Sequence, residues 1–158
     1  MTIEPSYCFV YGTLKRGQSN YPLIAAAVRA ASPATIRGRL YDVGPFPALA
    51  HGDETVHGEL LLISPEALAD ILVLLDRLEG YDAADPVGSF YLREIVAATT
   101  VDGREDVAYS YFYNRETASL HHLPDGEWRG PSAAEVAAVS DELDELDEFG
   151  RHVREFRR

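Results

Sequence analysis

The chain has 158 residues, of which 46% are hydrophobic. That suits one domain with its own core and excludes a wholly disordered protein. A formal charge of −12 and a pI near 4.7 exclude a nucleic-acid partner, because so acidic a surface repels a phosphate backbone. No apolar run approaches the ~20 residues of a membrane span. The opening Met1-Thr2-Ile3-Glu4-Pro5-Ser6 lacks the basic and apolar regions of a secretory signal, so the expected compartment is the cytoplasm.

Residues 7–11 are aromatic and β-branched and stop at Gly12, which predicts a strand. Cys8 lies inside it. As the only cysteine it forms no internal disulfide, and with no basic neighbour it reads as a small core residue. The Ala-rich residues 21–31, opened by Pro22, predict a helix. Residues 36–43 and 56–63 alternate as strands, with the proline-containing Gly44-Pro45-Phe46-Pro47-Ala48 irregular between them. A second helix is predicted from Ser64 as N-cap and Pro65 as first residue. Leu68, Ile71, Leu72, Leu75 and Leu78 form its apolar stripe, and Gly80 ends it. Residues 90–99 and 107–113 predict two strands joined around Asp102-Gly103. In the second of them Tyr109, Tyr111 and Tyr113 share one face.

The chain divides into a domain of residues 1–131 and a charged tail of residues 132–158. Ser132 and Glu135 suit a capping box, and Val136, Val139, Leu143 and Leu146 make a narrow apolar stripe. Acidic residues precede basic ones along the tail, which suits a helix macrodipole. Such an amphipathic helix either packs on its own domain or forms a homodimer contact. The predicted fold class is α+β, with a mixed sheet or small β-barrel flanked by helices.

Two segments carry candidate chemistry. In the first, Tyr11-Gly12-Thr13-Leu14 follows a strand, and a sharp turn there either is a plain turn or presents successive N–H groups to an anion. It lacks the spacing of the nucleotide-binding glycine loops. In the second, Glu79 lies at a helix C-terminus, where the dipole destabilises a carboxylate and raises its pKa toward the range of a general base. Any glutamate before a C-terminal glycine would share that description. Glu59, in a strand, is either buried and paired or facing water. Tyr113 carries a phenol that either packs or donates a hydrogen bond. His51, His57, His121, His122 and His152 show no metal-ligand spacing, and no Gly-x-Ser-x-Gly elbow is present.

Taken together, several of these segments resemble the gamma-glutamylcyclotransferase-like family, with the gamma-glutamylamine cyclotransferase branch the most similar. The resemblance is carried in order by Phe9-Val10-Tyr11-Gly12-Thr13-Leu14-Lys15-Arg16-Gly17-Gln18, then Gly38-Arg39-Leu40-Tyr41-Asp42 with Phe46-Pro47-Ala48-Leu49, then Val56-His57-Gly58-Glu59-Leu60. Next come Leu75-Asp76-x-Leu78-Glu79-Gly80-Tyr81 with Tyr91-x-Arg93, and finally Tyr111-Phe112-Tyr113-Asn114. It covers residues 7–130 and leaves out the tail.

The resemblance implies a small mixed β-barrel with helices around it. It implies an intramolecular reaction in which the α-amine of a γ-glutamyl group attacks its own side-chain carbonyl, giving 5-oxoproline and a free amine or amino acid. It implies no cofactor and a small-molecule γ-glutamyl substrate. Tyr11, Gly12, Thr13 and Leu14 would hold the substrate, Glu79 would shuttle the proton, and Tyr113 would donate a hydrogen bond. The loop of residues 82–89 has no family pattern and is expected to border the pocket. The competing reading is a non-catalytic module that binds a small carboxylate in the same pocket. A third is an interaction protein acting through its tail.

Overall fold

The computed structural model describes residues 4–130. The predicted split near Ser132, the tail helix and its dimer contact lie outside the described residues.

Five strands close on themselves. They are β1 (Tyr7–Val10), β2 (Val28–Asp42), β3 (Pro47–Ile63), β4 (Tyr91–Thr100) and β5 (Glu105–Tyr113). The order β3-β1-β5-β4-β2 is completed by β2 pairing back onto β3, and a short β6 (His121–His122) adds to the end of β2. β1 runs parallel to β5 and every other pairing is antiparallel, so the barrel is mixed. One α-helix, α1 (Leu68–Glu79), packs against its outer wall. The α+β mixed barrel expected from the sequence is the fold that forms.

The residues of β1 and β5 alternate between two apolar layers. Phe9 and Tyr11, with Ala108 and Phe112, join the cluster around Leu40, Leu49, Val56, Leu60 and Trp128. Cys8 and Val10, with Tyr109 and Tyr111, join the cluster under α1 around Leu61, Ile63 and Leu75. The apolar stripe of α1 falls on this second layer as its helical spacing requires.

Local expectations fail where long-range pairing outweighs propensity. The predicted helix over residues 21–31 is instead two short 3-10 turns, Tyr21–Leu23 and Ala25–Ala27, followed directly by β2. Ala30 and Ala31 pair with Leu62 and Leu61 of β3, and Ile24 is 1% exposed. Alanine favours a helix only weakly, and a ladder of main-chain bonds along β3 overrides it. Ser64 is likewise not the N-cap. Its N–H is bonded to the Ala27 carbonyl at 2.8 Å, and α1 begins at Leu68 without a side-chain cap. β2 and β3 also run longer than predicted, and the irregular stretch shrinks to the turn before Pro47.

Candidate active site

Glu79 is the last residue of α1. Gly80 follows with φ 67°, its N–H reaching the Arg77 carbonyl at 3.3 Å while the Tyr81 N–H reaches that of Asp76 at 2.8 Å. This double closure is the Schellman arrangement, and it requires the left-handed conformation that glycine takes without strain. A Cβ on Gly80 would also meet the Phe90 ring at 3.1 Å. The sequence therefore stops the helix one residue after the carboxylate.

The turn of residues 11–14 is held from below. The Lys15 N–H closes on the Gly12 carbonyl at 3.1 Å and the Asn20 N–H on that of Thr13 at 2.8 Å. The Arg16 N–H and its guanidinium both go to Glu59, at 2.8 and 2.9 Å. Glu59 is thus paired, with its side chain 15% exposed. Gly12 faces Pro47 so closely that a Cβ would lie 2.6 Å from the proline ring. Gly12, Thr13 and Leu14 are buried, and successive N–H groups in a turn after a strand can meet an anionic group.

These two features line one cavity. Tyr11, Gly12, Thr13 and Leu14 form one side, Glu79 and Leu75 another, with Phe46 and Pro47 nearby. Tyr113 is not in this lining. It borders an adjoining cavity with Phe90, and the two cavities have Phe46 and Tyr91 in common. The Tyr113 ring stands edge-on to Tyr91, with centroids 5.3 Å apart. The loop of residues 82–89 also stays out of the first cavity. It folds onto itself, the Ser89 hydroxyl meeting the Asp82 N–H at 2.9 Å and donating to the Asp85 carbonyl at 2.9 Å.

Sequence reasoning named Tyr11 but missed Tyr91, Tyr109 and Tyr111, which also line the site. Tyr11 donates its hydroxyl to the Tyr111 carbonyl at 2.5 Å, Tyr91 to that of Pro47 at 2.8 Å, and Tyr111 to the Asp76 carboxylate at 2.6 Å. Asp76 is ion-paired with Arg93 at 2.7 Å. The signal was present in part, since Tyr111 shares its strand face with Tyr113 and Asp76 precedes Glu79 by one helical turn. What the sequence cannot supply is which of the strand's tyrosines lies under the helix.

Burial holds Tyr11, Tyr111 and Cys8 in their neutral forms. It pushes the Tyr11 phenol well above its ordinary range, with the negative charge of Glu79 adding to the effect. The Tyr111 phenol is raised first by burial, then by its bond to Asp76 and by nearby negative charge that includes Glu79. Burial lifts the Cys8 thiol to about 12, the Arg93 cation opposing the rise. Cys8 is therefore a protonated core thiol and not a nucleophile. Both phenols respond to the Glu79 carboxylate, which puts that charge beside them in the cavity wall.

The comparisons with known proteins agree with this architecture. The family model described as "Gamma-glutamyl cyclotransferase, AIG2-like" matches residues 8–130. A protein of Vibrio cholerae is 34% identical over 122 residues, 76% of this chain and 92% of that protein. The gamma-L-glutamyl-butirosin B gamma-glutamyl cyclotransferase of Niallia circulans is 32% identical over 109 residues, covering 68% of this chain and 67% of the relative. Among solved structures, an AIG2-like protein from mouse superposes with a TM-score of 0.58 at 19% identity, over 82% of this chain and 92% of that one, which shows a shared fold. The chain belongs to the gamma-glutamyl cyclotransferase, AIG2-like family and is a gamma-glutamylcyclotransferase-like enzyme.

Proposed function

We propose that this chain cyclises a γ-glutamyl amine or peptide, releasing 5-oxoproline and the free amine. The observation that carries the reading is the cavity lined by both the Glu79 end of α1 and the turn of residues 11–14. The Niallia relative is named for a cyclotransferase acting on a γ-glutamyl group, which supports the reaction class.

In this reading the turn supplies N–H donors to the substrate's negatively charged oxygens, and to the oxyanion that forms at the γ-carbonyl. Glu79 takes a proton from the α-ammonium. The freed amine nitrogen bonds to the γ-carbonyl carbon, closing a lactam. The carbon–nitrogen bond to the leaving amine then breaks as Glu79 returns its proton to the departing nitrogen, and the second proton that the ring nitrogen sheds to become the lactam N–H passes by the same carboxylate to the amine, which leaves as an ammonium. Atoms balance without water or a cofactor, since one substrate carries both nucleophile and electrophile. A carboxylate with the ordinary pKa of about 4.3 is a weak base for an ammonium, and a helix C-terminus against an apolar wall is the kind of setting that would make it a stronger one. The leaving amine would exit past Phe46 and Tyr91 toward the adjoining cavity, where Tyr113 would offer its hydroxyl. The proposed setting is the cytoplasm, on the strength of the acidic composition and the lone thiol.

The test is 5-oxoproline release from γ-glutamyl amino acids, γ-glutamyl-ε-lysine and glutathione, with Glu79→Gln run beside wild type. Release by wild type that falls about 100-fold or more in the variant supports the reading and names the substrate class. A folded wild-type protein that binds these compounds and releases nothing overturns it in favour of a carboxylate-binding module.

A further inference from the structure

The wall behind Glu79 carries one pair of opposite charges that the steps above do not use. We propose that Asp76 and Arg93 are a positioning pair for Glu79, fixing the roll of α1 that turns this carboxylate into the cavity and keeping the charge behind it balanced. The inference rests on the acid/base role proposed for Glu79.

The first support is geometric. α1 has one fully buried residue, Leu75, while Val73 and Leu74 stand exposed and the rest of its stripe is half-buried. An apolar stripe of that kind holds a helix down but leaves its roll weakly specified, because hydrophobic contact is non-directional. Directional bonds come from the next residue. Asp76 receives Arg93 Nη1 from β4 at 2.7 Å on one oxygen and the Tyr111 hydroxyl from β5 at 2.6 Å on the other. Two strands thus grip one side chain of the helix. Asp76 and Glu79 are three residues apart, which on a helix brings their Cβ atoms to about 5–6 Å on one face. Fixing the first fixes the second. Arg93 is itself held, its guanidinium lying over the rings of Tyr109 and Tyr81 at 5.3 and 5.7 Å.

The second support is electrostatic. The titratable groups facing Glu79 are Cys8 from β1, Tyr11 from the turn, Tyr91 from β4, and Tyr109 and Tyr111 from β5. Burial keeps Cys8, Tyr11, Tyr109 and Tyr111 protonated. On the helix side Arg77 points to solvent, Asp82 beyond it is exposed, and Tyr81 is occupied by Arg93. Among the described residues the formal charges here are Asp76 and Arg93, which cancel, and farther out the exposed Glu4, whose carboxylate accepts the Tyr109 hydroxyl at 3.4 Å and is the same in every variant below. Removing either partner leaves a bare charge of known sign about one helical turn from Glu79.

The experiment is a 13C-detected carboxyl titration of the full chain, with the Glu79 signal assigned by its loss in Glu79→Gln. Asp76→Asn keeps an acceptor for Tyr111 but leaves the Arg93 cation unbalanced, so the Glu79 midpoint falls by about 1 pH unit. Arg93→Gln leaves the Asp76 anion unbalanced, so the midpoint rises by a similar amount. Arg93→Lys retains the charge and restores the wild-type midpoint to within a few tenths of a unit. The acid limb of kcat/KM moves with the midpoint in each variant. Midpoints that stay put, or that move the same way in Asp76→Asn and Arg93→Gln, overturn the proposal. Thermal unfolding verifies each fold, and Arg93→Gln against Arg93→Lys decides the question alone should Asp76→Asn not fold. A wild-type protein that releases no 5-oxoproline overturns the proposed function, whereas the Glu79 titration judges the pair independently of turnover.

Discussion

The barrel interior and the layer beneath α1 are built from the two faces of the same strands, yet they differ in kind. Inside, Leu40, Leu49, Val56 and Leu60 are at most 1% exposed, and the one buried hydroxyl from β5, Ser110, is satisfied by the Phe9 carbonyl at 3.0 Å. Beneath α1 the apolar residues share space with tyrosines, a thiol, the Asp76–Arg93 pair and Glu79. Beyond close packing, the interior holds one polar side-chain group without a partner among the described residues, the buried indole N–H of Trp128. The layer under the helix has tyrosine protons committed within the protein and a cavity bordered by the turn of residues 11–14. The two layers alternate along the strands, because side chains at i and i+1 point to opposite faces, and they meet at Phe9 and Tyr11, which pack in the interior and also line the cavity.

Substitutions can break that comparison, and they rank by size. Leu49→Ala hollows the interior and should cost about 2–5 kcal/mol of stability in chemical denaturation, with kcat of the folded fraction unchanged. A loss of kcat at intact stability would show that the two layers are not separable. Glu79→Gln should do the reverse, lowering 5-oxoproline release about 100-fold, equivalent to about 2.7 kcal/mol of barrier, with little change in melting temperature. Gly12→Ala lies at the junction. Its Cβ would meet Pro47 at 2.6 Å, so it should cost about 1–3 kcal/mol and raise KM together. An unchanged KM would remove the turn from the substrate site.

Alkaline titration sharpens the contrast further. The folded-state pKa of Cys8 is raised from 9.0 to about 12, and the Tyr11 and Tyr111 phenols are raised too. Their contribution is fully present below the unfolded-state pKa and is lost as pH rises through the folded one, because the unfolded chain ionises first. The melting temperature should therefore fall as pH climbs from about 9 toward 12. Cys8→Ala should flatten the first part of that fall, and at neutral pH it should have the smallest effect of the series, leaving 5-oxoproline release nearly unchanged. A large loss of release in Cys8→Ala would contradict its role as a neutral core thiol.

Much of this was legible residue by residue. The ends of β1, β4 and β5, the stripe of α1 and the Gly80 stop are local patterns, and local patterns are written in spacing. The Tyr11-Gly12-Thr13-Leu14 turn and Glu79 were legible as candidates, each with an innocuous alternative. The helix read over residues 21–31 was not, because Ala30 and Ala31 follow a partner strand about 30 residues away and not their own propensity. Tyr113 was read as lining the pocket while the structure gives that place to Tyr91, Tyr109 and Tyr111.

By itself the sequence determined the fold class, the place where α1 ends on Glu79, and the turn that follows β1, since residue period and glycine conformation act within a few residues. Only the tertiary structure decided that this turn and Glu79 share a cavity, that Asp76 reaches Arg93 and Tyr111, and which tyrosines face the site. Those are relations between β1, α1, β4 and β5, set by barrel closure and by the register of the β1–β5 and β4–β5 pairings. Nothing short of the closed sheet contains them.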